Sequence, residues 1–198
     1  MSTPSDAARC IAAVLEKLDI GDVHLVAHSY GGWLATHAVA RTPHRFATLT
    51  LVDPAHTVSR LFARFWRTLA LLLTRPRSDR AKSAAAWVLG CPATGSPLDA
   101  LTSLFVAGFV SFGPPLNTPP LRFTNNRLLR SADLPVQVLL AGNSVHSSEK
   151  ALRRLASVVP TWRCRLLPND SHALFAENPS AVNGYIRQFA ITHRRGTC

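Results

Sequence analysis

The chain is 198 residues long, 47% hydrophobic and 17% charged, which excludes a disordered protein and leaves room for one buried core. Its formal net charge is +11, from 22 basic against 11 acidic residues, and every basic residue except Lys17, Lys82 and Lys150 is an arginine. The arginines are scattered and no nucleic-acid motif accompanies them. No run reaches the roughly 18 apolar residues of a membrane span, so neither nucleic-acid binding nor stable membrane insertion is expected.

Four cysteines, Cys10, Cys91, Cys164 and Cys198, lie far apart and show no metal-ligand spacing. They read as incidental or buried thiols, which suits a reducing compartment. The first ten residues lack the charged and apolar regions of a signal peptide. The expectation is a cytoplasmic protein with no metal and no cofactor.

Ser5 or Asp6 can cap a first helix, in which Ile11, Val14, Leu15 and Leu18 fall on one face. Gly21 ends it. A short apolar run, Val23 to Ala27, then reads as a strand and stops at Ser29. Gly31 and Gly32 follow, and a helical pattern with Trp33, Leu34, Ala38 and Val39 runs to about Pro43. Leu49 to Val52 is a second strand, ending at Asp53. Strand, sharp turn, helix and strand make a right-handed β-α-β unit with parallel strands. The turn Ala27-His28-Ser29-Tyr30-Gly31 has the small-x-Ser-x-Gly form of a nucleophile elbow. Gly31 is expected to let the helix backbone approach closely, and Gly32 to extend that freedom.

From Pro54 to about Arg130 the pattern becomes helical. Val58 to Leu69 is amphipathic, with Leu61, Phe62, Phe65, Trp66 and Leu69 on one face and Arg60, Arg64 and Arg67 on another. Further helices are expected at Asp79 to Leu89 and Leu98 to Val110, followed by turns at Gly113-Pro114-Pro115 and Pro119-Pro120. Such an insertion, with an oily inner surface, suits a cap over a pocket. Alternation resumes with a buried strand, Leu134 to Gly142. A helix from Ser147 to Val159 follows, with Leu152, Leu155 and Val158 on one side. Trp162 to Leu167 is a strand, Pro168 to His172 a loop, and Asn178-Pro179 starts a last helix. The tail from His193 to Cys198 is expected to fray.

Four stretches together make the chain resemble the α/β-hydrolase fold superfamily, in its cap-bearing esterase-like and lipase-like members. They are H-L-V-A-H-S-Y-G-G-W around Ser29, T-L-T-L-V-D-P ending at Pro54, L-P-V-Q-V-L-L-A-G-N from Leu134, and P-N-D-S-H-A-L-F-A-E-N-P around His172. The resemblance implies an α/β fold: the C-terminal half of an α/β-hydrolase, with about four parallel strands, flanking helices and a helical cap insertion. It divides the chain into hydrolase core at 1–53, cap at 54–130, and the C-terminal part of the core, with the histidine loop, at 131–198.

The resemblance also implies a Ser-acid-His triad in chain order. Ser29 would attack an acyl carbon, His172 would take its proton, and the backbone N–H of Tyr30 would be an oxyanion donor. The commonest acid position in the superfamily, G-x-x-D after the seventh strand, corresponds here to Gly142-Asn143-Ser144-Val145, so a valine stands where the aspartate is expected. Some members draw the acid from the end of the preceding strand, where Asp53 sits. Asp53 is the candidate acid, with a plain turn residue before Pro54 as the alternative. Asp170 lies too near His172 in sequence to reach its ring. Phe105 and Phe109 on the cap, and His28 beside the nucleophile, are the candidate substrate contacts, although local packing is the plainer reading of His28 and of His56. The implied substrate is a small apolar ester or acyl compound.

An intact member of the superfamily carries about four more strands ahead of the first helix here, including the loop that supplies a second oxyanion N–H. The strand Val23 to Ala27 is therefore expected at an open sheet edge, which offers a route to self-association. The second reading is a truncated, inactive hydrolase fragment that acts as an interaction module through that edge. A third is docking of the basic segment Val58 to Arg77 on anionic membranes.

Overall fold

The computed structural model describes residues 3–90, 98–112 and 118–193. Helix α1 (Pro4–Lys17) opens the chain. Thr3 caps it: the Thr3 hydroxyl accepts from the Asp6 N–H at 3.1 Å, and the Asp6 carboxylate accepts from the Thr3 N–H at 3.0 Å. The cap is thus Thr3 rather than Ser5 or Asp6, because Pro4 fits the first helical position and Asp6 completes a capping box. Strand β1 (Val23–His28) follows, then helix α2 (Ser29–Arg41) and strand β2 (Phe46–Val52). α1 packs on α2. The alanines Ala7 and Ala8 are its buried residues, whereas Val14 and Leu18 of the expected apolar face are 49% and 60% exposed. Small side chains allow the closer helix contact, and that turns the buried face toward them.

Helices α3 (Ala63–Thr74), α4 (Asp79–Val88), α5 (Leu98–Phe112) and α6 (Asn126–Arg130) lie between β2 and the next strand. The helix expected from Val58 begins only at Ala63. Residues before it run irregularly, and Leu61 instead forms an isolated antiparallel bridge with His146. The buried residues of α3 are Thr68 and Leu72, whereas Phe62 and Trp66 of the expected apolar face are exposed. Leu72, Ala81, Ala85 and Val106 form a cluster of their own.

Strand β3 (Val136–Asn143), helix α7 (Ser148–Val158), strand β4 (Arg163–Ser171) and helices α8 (Leu174–Glu177) and α9 (Pro179–Thr192) complete the order. The four strands form one sheet in the order β1-β2-β3-β4, with every neighbouring pair parallel. β4 runs four residues beyond Leu167, through the segment expected to be a loop. Gly142 makes this possible: a Cβ there would lie 2.0 Å from the Pro168 carbonyl oxygen, so only glycine lets the two strand ends close up. The turn expected at Gly113-Pro114-Pro115, the cysteines Cys91 and Cys198, and the tail beyond His193 lie outside the described residues.

Side chains alternate across the sheet. Leu49, Leu51, Val138 and Leu140 face one way and pack with Ala35 and Val39 of α2 and Ala151 and Leu155 of α7. Val52, Leu139, Ala141 and Leu167 face the other way, against Leu174 and Val182. All seven residues of β2 are buried, whereas β1, at the end of the strand order, exposes Val26. The carboxyl ends of these parallel strands carry the candidate site.

Candidate active site

Each of three loops at the carboxyl end of the sheet contributes one polar side chain to a common point. Ser29 ends β1 and begins α2 with φ of +51°, a left-handed conformation that a non-glycine residue adopts only when its surroundings hold it there. Its carbonyl accepts from the Ala55 N–H at 3.1 Å, which ties the turn to the end of β2. Gly32, one turn into α2, is where the backbone approach is tightest, because a Cβ there would lie 2.8 Å from the Pro54 Cβ. Gly31 has open space around it. The close approach expected of Gly31 therefore belongs to Gly32, the residue whose hydrogen atoms face Pro54.

Asp53 follows β2, also at positive φ (41°), with its N–H donating to the Leu139 carbonyl at 2.8 Å. It is fully buried. Its Oδ1 accepts from the Ala141 N–H at 3.1 Å, and its Oδ2 accepts from the Ser144 hydroxyl at 2.6 Å. His172 follows β4 and is 2% exposed. Its Nδ1 lies 2.5 Å from Asp53 Oδ2, and its Nε2 lies 2.8 Å from Ser29 Oγ. A carboxylate accepts only, so Nδ1 carries the proton, and Nε2 is left to accept from the serine hydroxyl. Such a line lets a hydroxyl lose its proton to a ring whose positive charge then faces a carboxylate.

The electrostatics favour that assignment. Burial alone would raise the proton affinity of Asp53. The polar contacts of His146 and His172 more than offset this and hold the carboxyl below the usual carboxylate range. His146 is a loose contact, with Nε2 3.4 Å from Asp53 Oδ1, longer than a well-aligned hydrogen bond.

His28, the residue before Ser29, donates from Nε2 to the His172 carbonyl at 2.8 Å. Its ring packs at 4.7 Å, centre to centre, on both His172 and Phe175. Burial, reinforced by the neighbouring His172, lowers its pKa to about 4, so it is a neutral donor at pH 7. This sets His28 behind the His172 backbone. Phe105 and Phe109 stack edge to face on each other at 5.3 Å and pack on the α3–α5 cluster. Their described contacts are with that cluster rather than with Ser29. His56 lies between Trp66 and Phe123, and its Nδ1 accepts from the Leu61 N–H. Tyr30 sits in the first turn of α2, whose N–H groups have no intrahelical acceptor, and its hydroxyl donates to the Pro119 carbonyl at 2.6 Å. Val145, at the position where the aspartate is commonest, is buried with Ala55, Leu61 and Val88.

Sequence reasoning missed Ser144 and His146. The available signal was two polar residues flanking Val145 directly after a buried strand. Among the described residues, no group of three His, Cys, Asp or Glu side chains is arranged to hold a metal ion.

Comparison with known proteins adds to this geometry. The profile of the alpha/beta hydrolase family matches residues 2–184. The chain is 28% identical over 194 residues to the uncharacterized carboxylesterase nap of Bacillus subtilis (strain 168), covering 94% of this chain and 63% of that protein. It is 26% identical over 196 residues to carboxylesterase YbfK of the same organism, covering 96% and 64%. The chain thus spans a little under two thirds of the length of these relatives. Among solved structures it is similar to naproxen esterase (carboxylesterase NP) from Bacillus subtilis, with a TM-score of 0.82 at 25% identity, covering 95% of this chain and 66% of that one.

Proposed function

The chain belongs to the alpha/beta hydrolase family, and from that premise we propose that it is a serine hydrolase of carboxylic esters, with Ser29 as nucleophile, His172 as base and Asp53 as acid. The observation that carries this is the continuous line from Ser29 Oγ to His172 Nε2 at 2.8 Å and from His172 Nδ1 to Asp53 Oδ2 at 2.5 Å. The carboxylesterase relatives support the ester as substrate class.

In this reading Ser29 Oγ attacks the ester carbonyl while His172 Nε2 takes its proton. The tetrahedral oxygen draws on the N–H of Tyr30 and the positive end of α2. His172 then gives the proton to the departing alkoxide. Water, deprotonated by the same nitrogen, releases the acid from Ser29. Asp53 stays ionised throughout and faces the imidazolium. The helices between β2 and β3, residues 54–130, serve as the cap, and Phe105 and Phe109 belong to its apolar lining. No helix among the described residues is long and apolar enough to cross a membrane. The free thiols Cys10 and Cys164 suit the cytoplasm.

The test is hydrolysis of a short acyl p-nitrophenyl ester by the purified protein and by Ser29→Ala. The variant should lose activity by at least a thousandfold. Equal rates would remove the proposal. One observation favours a second reading: β1 ends the strand order and exposes Val26, so another strand could pair with it, from a second copy or another chain. An inactive chain that elutes as a defined dimer, and becomes monomeric on Val26→Lys, would favour that reading over the hydrolase.

A further inference from the structure

The Asp53 carboxylate faces two imidazoles, and the proposed chemistry uses only one of them. His146 lies in the loop between β3 and α7. Its ring is fully buried, and among the described residues neither of its nitrogens has a well-formed hydrogen-bond partner. The polar atom it approaches is Asp53 Oδ1, 3.4 Å from Nε2. An imidazole buried without a partner costs free energy, and an apolar side chain would fill the same space without that cost. The backbone around it is nevertheless firmly placed. Its own N–H points to the Ser144 hydroxyl at 3.3 Å, Leu61 bridges to it, and the Phe62 N–H donates to the Val145 carbonyl at 3.0 Å. The loop that fills its centre with Val145 thus brings Ser144 to one carboxylate oxygen and His146 to the other.

We infer that His146 is a positioning residue for the acid: its Nε2–H fixes Asp53 Oδ1, so that Oδ2 stays aimed at His172. The inference rests on the hydrolase reading above and deepens it. The two oxygens have different tasks. Oδ2 carries His172 and the Ser144 hydroxyl, while Oδ1 has the Ala141 N–H and the His146 ring as its partners among the described residues. Rotation of the carboxylate about its Cβ–Cγ bond by less than a half-turn would draw Oδ2 out of line with Nδ1. A second N–H on Oδ1 resists that rotation and helps keep the buried carboxyl ionised. Catalytic hydrogen bonds commonly lengthen in the unliganded protein and tighten in the transition state, and a resting distance of 3.4 Å fits that behaviour.

Side-chain reach provides the test. A glutamine at 146 places an N–H where His146 Nε2 now lies, whereas an asparagine buries the same amide too short to reach Oδ1. His146→Asn should lower kcat by about tenfold to a hundredfold with KM nearly unchanged, the loss expected for a misplaced catalytic group. His146→Gln should recover most of the rate. In proton NMR, the low-field resonance of the His172 Nδ1–H facing Asp53 should weaken or shift in the Asn variant and return in the Gln variant. Circular dichroism confirms that both variants fold. His146→Leu adds a third arm, in which a purely packing role predicts wild-type kcat and an unchanged resonance. That result, or equal kcat in the Asn and Gln variants, would overturn the inference while leaving the hydrolase reading intact. Ester turnover unaffected by Ser29→Ala would instead overturn the hydrolase reading, and the low-field resonance would still decide whether His146 holds Asp53.

Discussion

Gly32 and Pro54 touch so closely that a methyl group on Gly32 would lie 2.8 Å from the Pro54 Cβ and 3.2 Å from its Cα. The contact joins the helix that begins at the Ser29 turn to the residue after Asp53. The turn at Ser29 and the loop at Asp53 are therefore held together by the absence of one side chain.

Gly32→Ala should consequently destabilise the protein by about 1–3 kcal/mol, the usual cost of overpacking a rigid contact. It should also lower ester hydrolysis, because the displaced turn moves Ser29 away from His172. Gly31→Ala, in open space, should change stability by less than about 1 kcal/mol. Urea denaturation of the two variants gives the comparison, and equal midpoints would contradict this account of the turn.

Asp53→Asn should lower kcat by roughly three to four orders of magnitude, since an amide turned toward His172 holds the wrong tautomer. Its effect on acid stability has a definite sign. The folded protein holds the Asp53 carboxyl below its ordinary value of 3.8, so on acidification the unfolded chain takes up this proton first. The stabilisation is complete above that ordinary value and is lost as pH falls below it. Stability measured from pH 6 to pH 3 should fall less steeply in Asp53→Asn than in the wild type.

His28 contributes at higher pH. Burial lowers its pKa from 6.5 to about 4, so between those values the unfolded chain binds a proton that the folded chain does not. Stability should decline as pH falls from 6.5 toward 4, with His28 accounting for at most about 3 kcal/mol of that decline. His28→Gln keeps a donor near the His172 carbonyl and removes the titration. Its stability should be flatter over the same pH range, and an unchanged slope would show that other groups cause it.

Much of this arrangement is legible in the sequence, because short-range rules govern it. A strand that stops at a serine followed by two glycines defines the Ser29 turn. Asp53, a turn-forming residue at the end of an apolar run, and His172, just ahead of the last helix, stand at strand ends, where parallel sheets gather their side chains. What the sequence does not reveal depends on contacts between distant segments. Local pattern cannot tell that Gly32 rather than Gly31 meets Pro54, since both precede the same helical run. It also cannot show that β4 continues through Pro168, because that extension depends on how closely Gly142 approaches. Phe62 and Trp66 look like an inward face, but the chain ahead of Ala63 pairs with the loop at His146 and redirects them. His146 itself carries no motif, and its meaning comes only from its distance to Asp53.

A serine nucleophile activated by a neighbouring histidine reacts with organophosphorus electrophiles far faster than an ordinary hydroxyl. Reaction of the protein with a fluorophosphonate probe, with the adduct located by peptide mass spectrometry, measures this reactivity at Ser29. The expected result is one covalent adduct, on Ser29, absent in Ser29→Ala and formed at least a hundredfold more slowly in His172→Ala. A protein that remains folded yet forms no adduct on Ser29, or labels equally fast without His172, would contradict it.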